Sequence, residues 1–293
     1  QILFYFSIYS FLGWILEVSF HGAIVGKVIN RGFLNGPVCP IYGFGMLALI
    51  TILTTITKTD IQHINFLVIF NVGLIVCTLV EYIGGWVLDH LFHARLWDYR
   101  DMPLNINGYV CLVFSLAWGV GCVIALGFIH PMMIDFVNWI PERIGWWILL
   151  AIYLTILVDI IVSVSIMIGL NKKLAQLDKL QSTLRLVSNE LTERIGGSAY
   201  ETAQKVNEAS VQAKLAGDEL KESIVNVKDT AVQFKDEQLA ELQQKINSIK
   251  ETLSSDKFNL TKRMIDAFPK IDSHLYHDTL EEVKRIIFRT DKK

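Results

Sequence analysis

The chain has 293 residues, 52% of them hydrophobic, with a mean hydropathy of +0.39 and a formal net charge of −2. No basic stripe stands out, so the composition argues against a nucleic-acid-binding module. Only 15 of the 56 charged residues, six bases and nine acids, fall within residues 1–170, so two chemically different halves meet near Asn171.

Measured against the roughly 20 apolar residues that a helix needs to cross hydrocarbon, the first half reads as five spans. They run from Ile2 to Phe20, Ile41 to Ile56, Ile64 to Trp86, Tyr109 to Ile129 and Ile144 to Leu170. The first lacks a basic n-region and a small-residue cleavage site, so it is expected to be a span and not a signal peptide. Five spans put the two ends on opposite sides. With a cytoplasmic tail, the inner loops hold Lys27, Arg31, Arg95, Arg100, Lys172 and Lys173, and the outer loops only Lys58 and Arg143. The positive-inside rule therefore predicts a multi-pass membrane protein with its C-terminal tail in the cytoplasm.

Glu17 and Glu81 lie inside the first and third spans, near their cytoplasmic ends. A charge in hydrocarbon costs a few kcal/mol or more unless paired or hydrated, which makes both residues candidates for a functional site. Each span leads into an unusual string. The first runs from Arg31 to Gly45 and contains Gly32, Asn35, Gly36, Pro37, Cys39, Pro40 and Gly43. Its prolines remove backbone donors and its glycines permit close approach or positive φ, so a broken or re-entrant segment is expected. The second holds Trp97, Asp98, Tyr99 and Arg100, then Pro103, Asn105, Asn107 and Gly108. The expected result is a polar cluster at the cytoplasmic face, with Glu17 near Arg31 and Glu81 near Asp98, Arg100, Asn105 and Asn107. Glu17, Arg31, Asn35, Cys39, Glu81, Asp98, Arg100, Asn105 and Asn107 are ligand-binding or gating candidates; Gly32, Gly36, Pro37, Pro40, Gly43, Gly45, Trp97 and Tyr99 are the structural frame.

Plainer readings stand beside these. Glu17 and Arg31 can be a structural ion pair as readily as a substrate or proton site. Asp159, mid-span beside Ser163 and Ser165, is a weaker candidate. Asp89, His90 and His93 have helical metal-ligand spacing, but at an interface this usually marks a solvated helix end. Cys39, Cys77, Cys111 and Cys122 include no Cys-x-x-Cys pair and read as small apolar residues with free thiols. Neither a metal nor a cofactor is expected.

The same residues carry a family resemblance. Gly13-Trp14 with Glu17, the Arg31 to Gly45 string, Glu81-Tyr82, Trp97-Asp98-Tyr99 and the stretch from Pro103 to Gly108 together resemble the bacterial CmpB-type, or type IV, ABC-transporter permease family. Ala267-Phe268-Pro269 before a charged helix is similar to that family's C-terminus. The resemblance implies a permease-like membrane subunit. The chain has no Gly-x-x-x-x-Gly-Lys-Ser/Thr loop, so any ATP-driven role implies a separate ATPase subunit.

The second half is predicted to be helical. Leu170, Leu174, Leu177, Leu184, Leu191 and Ile195 continue out of the fifth span in steps of four and three, a coiled-coil seam broken at Gly196-Gly197. A second run passes through Leu220, Ile224, Val227, Ala231 and Phe234, and a third through Leu239, Leu242, Ile246, Ile249 and Leu253. Asn259 can cap a helix from Leu260 to about Phe268, Pro269 ends it, and another reaches about Arg289. The organisation read from sequence is an all-α polytopic membrane protein. It comprises a transmembrane domain (1–170), a cytoplasmic coiled-coil region (171–255) and a small C-terminal helical cap (256–293). Its expected function is a permease-like subunit or membrane scaffold of a bacterial transport complex, in contact with the lipid bilayer, assembled as a homo- or hetero-oligomer through the tail, and without enzymatic activity. The alternatives are a membrane-bound sensor or adaptor signalling through the coiled coil and, least favoured, an intramembrane enzyme using the two glutamates.

Overall fold

The architecture follows from a computed structural model that describes residues 1–26, 29–209, 239–253 and 260–290. Lys27, the run from Leu220 to Phe234 and the proposed Asn259 cap lie outside the described residues. The chain forms α1 (Ile2–Val25), α2 (Pro40–Thr57), α3 (Phe66–Phe92), α4 (Leu112–Ile124), α5 (His130–Trp139) and α6 (Glu142–Ala209). It continues with α7 (239–253), α8 (Leu260–Ala267) and α9 (His277–Thr290). Among the described residues five stretches are long and apolar enough to cross a membrane: Ile2–Ala23, Pro40–Thr57, Phe66–Phe92, Leu112–Trp139 and Glu142–Glu190. The protein is an all-α membrane protein with five such helices.

Helix ends follow local chemistry. Pro40 begins α2, where its missing N–H leaves no bond unmade, and the Asn65 side chain caps α3 by accepting from the Leu67 amide at 2.8 Å. The fourth span runs past the expected Ile129 because a π-helical turn, Ala125–Ile129, absorbs the donor that Pro131 lacks. At that turn the buried His130 meets the Tyr9 hydroxyl through Nδ1 at 2.9 Å. The break expected at Gly196-Gly197 does not occur. Helix α6 runs through both glycines to Ala209. Each costs about 1 kcal/mol relative to Ala, and the flanking Ala, Glu, Gln and Lys residues are strong helix formers.

Two compact units are built from discontinuous segments: residues 1–171 with 256–280, and residues 172–255 with 281–293. In the first, α1 packs on α2, α2 on α3 and α3 on α4. Leu49, Leu53, Ile69 and Leu126 fill the space between them, while Leu67, Ile75, Leu79 and Trp147 stay on the outside, as a lipid-facing surface requires. Helices α1 and α2 cross at bare backbone. A Cβ on Gly43 would lie 2.3 Å from Ser10 Oγ, and one on Gly13 2.2 Å from the Tyr42 ring, so neither position tolerates a side chain. Two short antiparallel ladders complete this unit. β1 (Ala94–Arg95) pairs with β4 (Asp272–Ser273), and β2 (Asn105–Ile106) with β3 (Val110–Cys111). In the second unit the Glu282 carboxylate accepts hydrogen bonds from Gln181 and Lys250, joining α9, α6 and α7. Leu174, Leu177, Ile246 and Leu253 are buried there.

Candidate functional site

The segment 29–39 is not helical, and buried irregular backbone must find partners for its donors and acceptors. Asn30, Asp159 and Arg263 supply most of them. The Asn30 amide oxygen accepts from Trp14 Nε1 (2.8 Å) and the Gly32 amide (3.1 Å), and its Nδ2 donates to the Asn35 carbonyl (2.7 Å). Asp159 accepts from the Asn35 and Gly36 amides at 2.9 and 2.6 Å and from Asn35 Nδ2 at 2.9 Å, with Ser163 beside it. The Cys39 amide donates to the Ser10 carbonyl. Three successive carbonyls, of Gly32, Phe33 and Leu34, all face the guanidinium of Arg263, whose Nη atoms donate to them at 3.1–3.3 Å. Burial lowers the Arg263 pKa, and the nearby Asp159 charge offsets only part of that.

Glu17 faces this segment from α1. It accepts from the Tyr42 hydroxyl at 2.7 Å, while Arg31 Nη1 stands 3.8 Å away and donates its Nε to the Ala267 carbonyl at 3.2 Å. Glu17 and Arg31 are thus together, at the long edge of ion-pair distance and about a quarter exposed. Burial, with help from the Glu17 charge, pushes the Cys39 thiol up to about 12. It is a thiol and not a nucleophile at neutral pH.

Glu81 is more deeply placed, at 8% exposure on α3. Its two oxygens accept one hydrogen bond each, from Tyr99 Oη (3.2 Å) and Trp118 Nε1 (2.9 Å). Among the described residues no cation pairs with it. Burial first, then the Glu81 charge, raise the Tyr99 phenol, so it remains a donor. The Tyr42 ring meets Trp118 edge-on, with centroids 5.5 Å apart, so Tyr42 and Trp118 connect the two carboxylates through aromatic contact.

The rest of the second string gathers elsewhere. Asp98 binds Arg100, which also reaches Asp272 at 3.1 Å. For both carboxyls burial acts upward, but bonds and charge hold them below the usual range, from Arg100 at Asp98 and from His277 and Arg100 at Asp272. Asn105 Nδ2 donates to the Met102 and Arg100 carbonyls, and Asn107 Nδ2 to the Tyr82 hydroxyl. Gly108 adopts φ 74°, and a Cβ there would meet Arg100 and Asp98. Trp97 Nε1 donates to the Tyr109 carbonyl. Glu81 therefore sits with Tyr99 and Trp118, apart from the hydrogen bonds made by Asp98, Arg100, Asn105 and Asn107.

A profile of the family described as "Putative ABC-transporter type IV" (ABC_trans_CmpB) matches residues 4–164. The chain belongs to this family. It is an ABC-transporter-related membrane protein, and the match takes in both strings, both glutamates and Asp159. No curated protein and no solved structure matches the chain.

Several residues that organise this family member's site escaped sequence reasoning. Asp89 is 6% exposed and accepts from Arg95 Nε (3.0 Å), Tyr109 Oη (2.6 Å) and His274 Nε2 (3.2 Å), far from a solvated helix end. His90 stacks on Trp86 instead of joining it. Arg263, Asp272 and His274 come from a segment more than 160 positions further along the chain, and no local spacing could relate them to the loops they hold. Asn30 is one step outside the string that drew attention, Tyr42 lies inside that string without having been singled out, and Trp118 lies within the fourth span.

Proposed function

We propose that the chain is the permease-like subunit, or membrane scaffold, of a transport complex in a bacterial cytoplasmic membrane, with no enzymatic activity of its own. Energy would come from a separate ATPase subunit, and the tail would lie in the cytoplasm, recruiting partners or further copies of the chain. The observation that carries the reading is Glu81. A carboxylate in a spanning helix, buried and held only by two neutral donors, is costly to keep charged and serves no ion pair, which fits a group that gates a path or meets a ligand. Its aromatic link to Glu17 supports coupling between the two loops. Lys27, Arg31, Arg95, Arg100, Lys172 and Lys173 against Lys58 and Arg143 support the cytoplasmic tail. Maleimide should then label cysteines placed at Lys58 or Glu142 in intact cells, and those at Arg100 or in the tail only after permeabilisation; tail labelling in intact cells overturns the orientation.

Affinity purification of the full chain in mild detergent, with mass spectrometry of the bound proteins, tests the complex. A stoichiometric ATPase supports transport. A tail-dependent soluble partner with no ATPase favours the sensor or adaptor reading instead, for which the unbroken helix from a membrane span to Ala209 is the specific support.

A further inference from the structure

At the loop end of α3 a cleft of about 570 Å³ opens to the surface, bordered by Tyr82, Trp86, His90, Arg95, Arg100 and Asn107. The wall carries two guanidinia, whose N–H groups can only donate, and the His90 imidazole, whose Nδ1 stands 2.9 Å from the Trp86 carbonyl. The carboxylates that pair with the arginines are not on the wall. Asp89 fixes Arg95 through Nε, Asp98 and Asp272 hold Arg100 through Nε and Nη2, and these acids are only 6–19% exposed. The arginines are therefore fixed in place: Arg95 also reaches His274 Nε2 at 3.0 Å and the Tyr109 hydroxyl at 3.4 Å, and Arg100 is held through Nε and Nη2. Arg95 lies over the Tyr109 ring, its guanidinium carbon 4.6 Å from the centroid, and gives Nη1 to the Asn107 carbonyl. Among the described residues, Arg100 Nη1 and Trp86 Nε1 have no hydrogen-bond partner, and Arg100 is half exposed.

Convergent, pre-oriented guanidinium donors beside an indole N–H match the several acceptor oxygens of a phosphate group. Position adds the second requirement. The cleft sits where the outer face of α3 passes from Leu79 and Ile83, both exposed and apolar, to Trp86 and His90. Tyr and Trp in this setting occupy the headgroup level of a bilayer.

We infer that this cleft is a binding site for a phosphate-bearing amphiphile, with Arg95 and Arg100 on the phosphate, Trp86 donating to it, and the apolar face of α3 beside the acyl chains. The site does not rest on the transport reading. It would serve a scaffold or an adaptor equally, as a lipid contact that responds to the charge of the adjoining leaflet.

The test uses the full chain in a neutral maltoside detergent and follows its thermal unfolding while dioctanoyl phosphatidic acid, dioctanoylglycerol or inorganic phosphate is titrated at constant ionic strength. The expected result is a saturable rise in unfolding temperature with dioctanoyl phosphatidic acid and none with dioctanoylglycerol, which has the same chains and no phosphate. An equal, saturable response to inorganic phosphate would keep the phosphate site but assign it to a soluble ligand. The hydrogen bond and ring contact of Trp86 and His90 are with each other, so Trp86→Phe and His90→Gln should leave the unliganded unfolding temperature unchanged. Their combination should weaken the apparent affinity at least fivefold, and Arg100→Lys should do so without loss of the fold. Equal responses to dioctanoyl phosphatidic acid and dioctanoylglycerol, no saturable response, or an unchanged affinity in these variants would overturn the site.

Discussion

Glu81 and Asp89 lie on the same helix eight residues apart and are almost equally buried, at 8% and 6% exposure. Their surroundings have little else in common. Asp89 meets a guanidinium, a phenol and an imidazole, whereas Glu81 has one phenol and one indole. Eight residues of helix rise about 12 Å, enough to carry a side chain from the loop layer into the helix bundle. The loop layer can import cations from distant segments; the bundle cannot. Burial alone does not tell these two acids apart and the identity of their donors does; on the proposed reading that difference separates a structural acid from a gating or ligand-binding one.

The largest effect is expected at Asp89. Asp89→Asn removes the anion from Arg95, whose side chain is 13% exposed, and an uncompensated buried charge costs about 3 kcal/mol. Thermal or denaturant unfolding of the purified variant in detergent should show a loss of that order. A change below about 1 kcal/mol would mean that Asp89 is no more a structural acid than Glu81, and the contrast would fall.

Arg263→Gln should come next, at about 2 kcal/mol, because the carbonyls of Gly32, Phe33 and Leu34 lose their common donor. Its signature is local. Protease cleavage within 29–39 should accelerate more than global unfolding does. A uniform loss of stability without new cleavage there would show that the loop stands without this arginine.

Acid should release part of the same loop layer. Asp98 and Asp272 have folded pKa values below the unfolded carboxylate value, so the stability they add is present above about pH 4 and drains away as pH falls through the depressed values. The expected contribution is about 1 kcal/mol for the pair with Arg100, itself half exposed. Arg100→Gln should flatten the stability profile between pH 5 and pH 3. An identical acid slope in wild type and variant would place the titrating groups elsewhere.

What the sequence made legible divides along the same line. The five spans, the irregular segment and the nearness of Glu17 to Arg31 could be read from apolar runs, prolines and intramembrane charge, all of which act within one stretch of chain. Glu81 could be found, but its partners could not. Trp118 lies 37 residues away on another span, and an indole in a span carries no local mark of being a donor to a carboxylate. Arg263, Asp272 and His274 were invisible for a stronger reason. Their partners lie 172 to 231 positions away, and residues such as Arg263, in an amphipathic helix, look like ordinary solvated bases until the fold brings that helix back. Asp159 illustrates the converse: its mid-span charge was noticed, yet its task is to hold the amides of Asn35 and Gly36.

Glu81→Gln should barely change stability, within about 1 kcal/mol. The amide retains the shape and one good acceptor, and the loss of one hydrogen bond is offset by relief from burying a charge. The in vivo phenotype of a deletion should nevertheless appear, with abundance in the membrane unchanged. Wild-type behaviour at normal abundance would remove Glu81 from the functional site; a severe loss of abundance would return it to the structural class with Asp89.

The smallest quantity is the coupling expected between Glu17 and Arg31, and it measures where this pair falls between the two extremes. A tightly buried ion pair would lose on the order of 3 kcal/mol when either partner is neutralised. Here the charged atoms are 3.8 Å apart and the side chains are 24% and 29% exposed, so water screens the attraction. Each residue also has a second tie, Glu17 to the Tyr42 hydroxyl and Arg31 to the Ala267 carbonyl, which the other's substitution leaves intact. Glu17→Gln and Arg31→Gln should therefore each cost about 1 kcal/mol, mostly through those separate bonds, and the double variant should recover no more than about 0.5 kcal/mol in the cycle. A coupling near 3 kcal/mol would mean that the pair closes tightly in the membrane and belongs with Asp89 and Arg95. A coupling near zero, with the Tyr42→Phe and Glu17→Gln effects failing to add, would assign Glu17 to Tyr42 and so to the aromatic path that leads to Glu81.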